Sequence, residues 1–113
     1  KKIGLFEDVK FCPISIWDFS DEIIFLMKSN NINSETLHIA GEICTKYDFG
    51  KELVSELNMS SDLIERSSIQ NFKDRAKRSN DQTIDSSLYQ KKYKRKLPNI
   101  KTTIKKIKKY YEK

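Results

Sequence analysis

Tyr47 and Lys51 are the two residues whose types and spacing come nearest to catalytic machinery. They are four positions apart, which places both side chains on one face if this segment is helical. A lysine in that position could lower the pKa of the tyrosine hydroxyl and prepare it for proton transfer. The chain contains five tyrosines and 22 lysines and arginines, so such a pair also arises by chance. The spacing alone therefore assigns no catalytic role.

The sequence shows no pattern of metal ligands. His38 is the only histidine, and no carboxylate or cysteine stands near it at ligand spacing. We predict that it lies on a strand in or near the core. Cys12 and Cys44 are far apart and lack the paired spacing of a metal site or a disulfide framework. We expect both to behave as small buried hydrophobic residues.

Charge is divided unevenly along the chain. Residues 1–66 hold 7 Lys/Arg and 12 Asp/Glu, whereas residues 67–113 hold 15 and 4, giving net charges of −5 and +11. A basic half can indicate nucleic-acid binding, an anionic ligand or simply a lysine-rich composition. Residues 89–96 mix Tyr with Lys and Arg, a composition used to stack bases and bind phosphates. No recognised nucleic-acid fold accompanies that run, so a solvated basic loop is favoured and a nucleic-acid partner is not expected.

The chain is one small domain or a piece of a larger one. It has 113 residues, of which 37% are hydrophobic and 34% charged, enough for a modest core. It begins without Met, so we expect a fragment. No apolar run approaches the length of a membrane span and no signal peptide is visible, so we expect no membrane partner. The lack of a disulfide framework favours a cytoplasmic location.

The elements that must position the polar residues alternate between short strands and helices. We predict strands at 3–6, 9–16, 36–40, around Ile64 and at 83–85. Asp18 is predicted to cap a first helix, whose apolar residues recur at helical spacing. Thr45 is predicted to cap a second helix, with Asp48 completing the capping box. Gly50 inside that helix indicates close approach to a neighbour, because glycine costs a helix up to about 1 kcal/mol relative to Ala.

The second half of the chain contains a loop and one further predicted helix. Residues 70–80 are polar and basic and form the best loop candidate. A last helix is predicted to start at Asn99, with a single apolar stripe formed by Ile100, Ile104, Ile107 and Tyr111. The sequence thus predicts about three helices on a small sheet, a mixed α/β (α+β) fold.

Three stretches resemble the C-terminal, substrate-binding part of extended short-chain dehydrogenase/reductases that act on nucleotide sugars. The nearest resemblance is to the dTDP-4-dehydrorhamnose reductase branch of that family. The stretches occur in the family's order: Pro13-Ile14-Ser15-Ile16-Trp17-Asp18-Phe19, then His38 to Gly41 with Thr45 to Phe49, then Arg78, Asn80, Ile84, Asp85 and Ser86. Ile14 stands in place of the usual Thr, Ser79 in place of Pro, and Gln82 in place of Ser.

The resemblance implies roles for particular residues. It implies that Arg78 reaches the diphosphate of a nucleotide-sugar substrate, and a guanidinium suits that task because it is always charged and offers a planar fork of donors. Arg75 and Lys77 are further candidates for the same anion. The alternative is that Arg78 is a surface residue paired with Asp81 or Asp85. The resemblance also places Tyr47 and Lys51 in a helix beyond the family's catalytic pair, so we predict no catalytic residue in this chain.

The resemblance implies that residues 1–113 are the substrate-binding domain of a larger NAD(P)-dependent reductase of a 4-keto nucleotide sugar. The glycine fingerprint of a dinucleotide site is absent, because Gly4, Gly41 and Gly50 are the only glycines. We therefore expect NADP or NAD to bind a Rossmann domain outside this chain, and this segment to be inactive alone. The expected partners are the nucleotide sugar, that Rossmann domain and possible further copies of the chain. A non-catalytic regulatory relative is the alternative.

Overall fold

The described part of the chain contains four α-helices and two small sheets. The computed structural model of the protein describes residues 2–30 and 34–112. The helices are α1 (Ile16–Lys28), α2 (Lys46–Glu56), α3 (Ser87–Tyr93) and α4 (Ile100–Tyr111). Single 3-10 turns lie at Ser61–Leu63 and Ile69–Asn71. The predicted mixed fold class is confirmed, with one more helix than expected.

The sheets bring distant parts of the chain together. Strand β1 (Ile3–Phe6) pairs in parallel with β4 (Ile64–Ser67), with Ile3 opposite Ile64 and Phe6 opposite Ser67. Strand β2 (Lys10–Phe11) pairs antiparallel with β3 (Cys44–Thr45). Parallel strands require a long crossover, and here the crossover contains α1 and α2.

Side-chain caps determine where three of the helices begin. Thr45 caps α2 as predicted, since its Oγ1 accepts a hydrogen bond from the Asp48 N–H at 3.0 Å. Asn99 caps α4 in the same way. The prediction that Asp18 caps α1 is wrong, because the Ser15 hydroxyl accepts from the Asp18 N–H at 3.0 Å and starts the helix three residues earlier.

Two predicted strands do not form. Residues 36–40 lie outside the helices and strands, and His38 is exposed there rather than in the core. Residues 83–85 also form no strand. Just before them, Asp81 makes an isolated β-bridge to Lys10. A strand needs a neighbouring strand to satisfy its backbone groups, and neither segment has one within the described residues.

The basic run at 89–96 overlaps the unpredicted helix α3. Tyr89 and Tyr93 are four positions apart on α3 and therefore share a face. Tyr89 is completely buried, and the rings of the two tyrosines are 5.4 Å apart. Burial of the tyrosine face stabilises this segment as a helix. The many charged residues of the run hide that apolar face in the sequence.

The core is small and contains polar as well as apolar groups. Its apolar members are Val9, Ala40, Cys44, Val54, Tyr89, Leu97 and Ile104. Burial raises the pKa of the Cys44 thiol to about 11, so this thiol is the buried hydrophobe that was predicted, whereas Cys12 is half-buried. Tyr111 does not join the predicted stripe of α4, since it is 79% exposed at the end of the helix.

Gly50 explains the packing of α2 on the first sheet. A Cβ atom at this position would lie 2.1 Å from Leu5 Cδ1. The predicted close approach is therefore confirmed, and it is made to strand β1. The helix accepts the conformational cost of glycine because a side chain has no room there.

Candidate functional site

Three motif-bearing stretches converge on Cys12 and Pro13. The Gly41 N–H donates to the Cys12 carbonyl at 3.4 Å, and a Cβ on Gly41 would lie 1.8 Å from the Pro13 carbonyl oxygen. From the third stretch, the Ile84 N–H donates to Cys12 Sγ at 3.4 Å. The contacts of Gly41 and Ile84 therefore join the three stretches. The contact of Ile84 also fixes the chain shortly after the loop at residues 70–80.

Both ends of the basic loop, residues 70–80, are fixed by residues 8–10. At its start, Asp8 accepts hydrogen bonds from the Ser68 hydroxyl and from the Ile69 N–H, and these bonds lower the pKa of the Asp8 carboxyl. At its end, the Asn80 carbonyl accepts from the Lys10 N–H at 2.8 Å. The loop is thus an exposed excursion between two anchored ends.

Ser79 and Gln82, both of which depart from the family pattern, close a turn directly after Arg78. The Ser79 hydroxyl accepts from the Asp81 N–H at 3.1 Å and donates to the Asp81 carbonyl at 2.9 Å. The Gln82 side-chain amide donates to the Ser79 carbonyl at 3.1 Å. These bonds restrain the backbone where the family has proline, which fixes its own φ.

The basic loop forms an open groove of about 390 Å³ that brings the three predicted site residues together. Its lining includes Lys73, Arg75, Lys77 and Arg78, with Phe72 and the side chains of Gln70 and Asn80. Within the described residues, none of the four cations forms a salt bridge. The Arg75 guanidinium lies over the Phe6 ring at 5.4 Å, which limits its freedom.

The pairing of Arg78 with Asp81 or Asp85 is not observed. Asp81 accepts from the N–H and hydroxyl of Thr83, and these bonds lower the pKa of its carboxyl. Asp85 accepts from the Ser87 N–H, which lowers its pKa as well. Both carboxylates are engaged in local turns, and Arg78 is exposed and forms no salt bridge within the described residues.

Other candidate chemistry finds no support in the geometry. The Tyr47 ring lies 4.3 Å from the Arg66 guanidinium, and Lys51 is an exposed residue of α2. Across residues 2–30 and 34–112, no three His, Cys, Asp or Glu side chains gather closely enough to hold a metal ion. In the same residues, no helix is both long and apolar enough to cross a bilayer.

The described glycines do not form the glycine-rich turn of a dinucleotide-binding fold. A dinucleotide site needs a glycine-rich turn that leads from a parallel strand into a helix and leaves backbone N–H groups open to the pyrophosphate. Gly41 and Gly50 are instead pressed against Pro13 and Leu5. No step of cofactor chemistry is therefore assigned to this chain.

Phe72 and Lys73 line the groove and Asp8 anchors the start of its loop, but none of the three was singled out in the sequence. Asp8 acts through a contact across 61 residues, to Ile69, which no local pattern reveals. Phe72 carried a usable signal, since it is the one aromatic residue in the basic loop, and its ring meets Phe6 edge-on at 5.4 Å.

Comparison with known proteins identifies a similar fold and a family. The fold is similar to that of a dTDP-4-dehydrorhamnose reductase from Bacillus anthracis str. Ames, solved in complex with NADP, with a TM-score of 0.80 at 18% sequence identity. The similarity covers 94% of this chain but 37% of the reductase, so the chain spans little more than a third of that protein's length. No curated protein sequence matches the chain. The family profile described as RmlD substrate binding domain matches residues 1–112, and the chain therefore belongs to that family.

Proposed function

We propose that this chain is the substrate-binding portion of an NAD(P)-dependent reductase that acts on a 4-keto nucleotide sugar. The observation that carries the proposal is the family match over residues 1–112, joined to a groove whose four cations have no carboxylate partner within the described residues. In this proposal residues 1–113 form the substrate domain, and the dinucleotide-binding domain lies outside them. The expected cytoplasmic location remains a prediction.

The groove suits a diphosphate because of its charge and its geometry. Arg78 and Arg75 each offer a planar fork of N–H donors that matches phosphate oxygens, and Lys77 adds a point charge. The Arg75 guanidinium carbon lies 5.4 Å from the centre of the Phe6 ring, a cation–π contact that favours this position of the fork. The anchored loop ends reduce the ordering cost of binding, which favours affinity.

NADP or NAD would supply the hydride for reduction of the sugar's 4-keto group, and the Bacillus reductase, crystallised with NADP, makes NADP the first choice to test. The contribution of this chain is to bind the substrate and exclude water around it. We expect the segment to be inactive by itself.

The test compares Arg78→Gln with Lys105→Gln in the protein encoded by the whole gene. Lys105 is an exposed residue of α4, so its loss removes the same charge outside the groove. Hydrogen bonds to charged groups contribute about 1.5–3 kcal/mol, so Arg78→Gln should weaken binding of dTDP or a dTDP-sugar by roughly 10- to 100-fold. The same loss should appear in kcat/KM for NADPH-dependent reduction, whereas Lys105→Gln should leave both values unchanged.

Other results would favour other functions. Tight nucleotide-sugar binding without turnover would identify a non-catalytic regulatory relative. If Arg78→Gln and Lys105→Gln weakened nucleotide-sugar binding equally, Arg78 would not contact the diphosphate. Steeply salt-dependent binding to RNA or DNA would point to a nucleic-acid partner; the burial of Tyr89 argues against that result, because a buried ring cannot stack on a base.

A further inference from the structure

The turn at residues 79–82, which follows Arg78, is held by side chains of its own residues. The Ser79 hydroxyl both accepts from the Asp81 N–H, at 3.1 Å, and donates to the Asp81 carbonyl, at 2.9 Å. The Gln82 side-chain amide donates to the Ser79 carbonyl at 3.1 Å. The hydroxyl and the carbonyl of the residue next to Arg78 are therefore both engaged within this turn.

Strand β2 attaches the same turn to the rest of the fold. The Lys10 N–H donates to the Asn80 carbonyl at 2.8 Å, and the Lys10 carbonyl accepts from the Gln82 N–H at 2.9 Å. Lys10 is itself paired with Thr45 in the sheet of β2 and β3. The turn is therefore fixed to a strand, and a side chain supported by a strand is held more precisely than one in a free loop.

The side-chain bonds of the turn affect its local conformation more than the stability of the whole fold. All four residues at 79–82 are exposed. An exposed hydrogen bond replaces one that water would otherwise make, so its net contribution to folding is modest. It nevertheless selects one backbone conformation from those that an exposed loop could adopt. Arg78 precedes this turn directly and lines the groove, so the conformation of the turn bears on its position.

We propose that Ser79 and Gln82 are positioning residues, whose hydrogen bonds hold Arg78 at the groove before an anion binds. The inference rests on the proposed function, in which Arg78 contacts the diphosphate of the substrate. Ordering the turn in advance removes part of the entropy cost of binding, so loss of these bonds should weaken binding. Ser79 and Gln82 need no contact with the ligand for this role, because both act through Arg78.

The test compares Ser79→Ala with Ser60→Ala in the protein encoded by the whole gene. Ser60 is the matched control, because its exposed side chain also accepts from the N–H two residues ahead, that of Asp62 at 3.2 Å, outside the groove. Ser79→Ala should raise the dissociation constant of dTDP about three- to tenfold, the effect of one or two ordinary hydrogen bonds. Ser60→Ala should leave it unchanged, and so should Ser79→Thr, which keeps the hydroxyl. Isothermal titration calorimetry measures all three.

Repeating the substitutions in an Arg78→Gln background distinguishes positioning of Arg78 from a general effect on the loop. If Ser79 acts only through Arg78, Ser79→Ala should change dTDP binding by less than about twofold in that background, because the contact that it positions is already lost. Gln82→Ala should weaken binding in the unmodified protein and have the same small effect in the Arg78→Gln background. A role in folding alone would give equal losses in both backgrounds.

Equal losses in the two backgrounds would overturn the inference, and so would equal weakening by Ser79→Thr and Ser79→Ala. It would also fail if Ser79→Ala left dTDP binding unchanged while Arg78→Gln weakened it. Each of these results leaves the proposed function standing. If Arg78→Gln itself left dTDP binding unchanged, the diphosphate contact would be rejected and the positioning role with it. A loss confined to the protein that retains Arg78 supports the inference.

Discussion

Arg95 and Arg78 are both arginines of the basic C-terminal half, and the structure uses them in opposite ways. Arg95 donates two hydrogen bonds to the buried Glu22 carboxylate, at 2.8 and 3.0 Å, and its guanidinium lies 4.2 Å from the Phe25 ring. Arg78 lies in a loop whose residues are all exposed, with no carboxylate partner within the described residues.

The two arginines differ because the carboxylates near them differ in the hydrogen bonds that they already accept. Glu22 is 7% exposed and would be costly to bury as an unpaired charge, so it needs Arg95 and the Tyr89 hydroxyl, which donates to it at 2.7 Å. Asp81 and Asp85 are satisfied by neighbouring turn groups. We call the group formed by Glu22, Tyr89 and Arg95 the α1–α3 junction. Its charges are paired with one another, whereas the cations of the basic loop form no salt bridge within the described residues.

Gly41→Ala should have the largest effect on folding. A Cβ there meets the Pro13 carbonyl oxygen, a backbone atom that cannot move aside cheaply, so we expect the free energy of unfolding to fall by about 3 kcal/mol or more, at the upper end of overpacking costs. Gly4→Ala is the matched control, because its Cβ would lie 3.2 Å from a Ser67 side-chain atom. Urea unfolding of both variants tests this, and similar losses would contradict it.

Arg95→Met should have the next largest effect on folding. It leaves the buried Glu22 carboxylate without its cation, while the methionine retains much of the apolar contact with Phe25. Breaking a buried pair is strongly destabilising, and because the Arg95 side chain is partly exposed we expect about 2–3 kcal/mol. The control is Lys91→Met, which changes an exposed lysine of α3. If the two variants unfold at the same urea concentration, the junction does not stabilise the fold.

The sequence revealed the loop better than the junction, for a physical reason. The basic loop is a local feature, since Arg75, Lys77 and Arg78 are neighbours in the chain and were predicted together. The Glu22–Arg95 contact joins residues 73 positions apart, and no local pattern distinguishes it from two solvated charges. Similarly, the caps at Thr45 and Asn99 follow from adjacent residues and were predictable.

Residues 36–40 show a different limit. Polar residues before them and Gly41 after them predict a strand, yet a strand also requires a neighbouring strand, which the local sequence does not reveal. The start of α1 was misplaced for a smaller reason, because Ser15 and Asp18 are both good capping residues and only the structure shows which one lies outside the helix.

Acid should weaken the α1–α3 junction through Glu22. The hydrogen bond from Arg95 holds the pKa of this carboxyl below its usual 4.5, although burial opposes the shift. The unfolded chain therefore binds the proton at higher pH than the folded chain, so this stability is fully present above pH 4.5 and is lost as the pH falls through the folded pKa. In Glu22→Gln, the free energy of unfolding should fall less steeply as the pH is lowered below 4.5 than it does in the unmodified protein. An unchanged slope would exclude this role; some slope must remain, since the Asp8 carboxyl also has a lowered pKa.

The smallest effects on stability should come from the basic loop itself. Arg78→Gln and Lys77→Gln remove exposed charges and should change the free energy of unfolding by no more than about 0.5 kcal/mol. Arg75→Gln should cost slightly more, about 0.5–1 kcal/mol, because it also loses the contact with the Phe6 ring. Urea unfolding of each variant, measured beside dTDP binding, separates folding from recognition. If Arg78→Gln destabilised the fold as much as Arg95→Met, the contrast between the two arginines would disappear, and its effect on binding could no longer be assigned to a direct contact with the diphosphate.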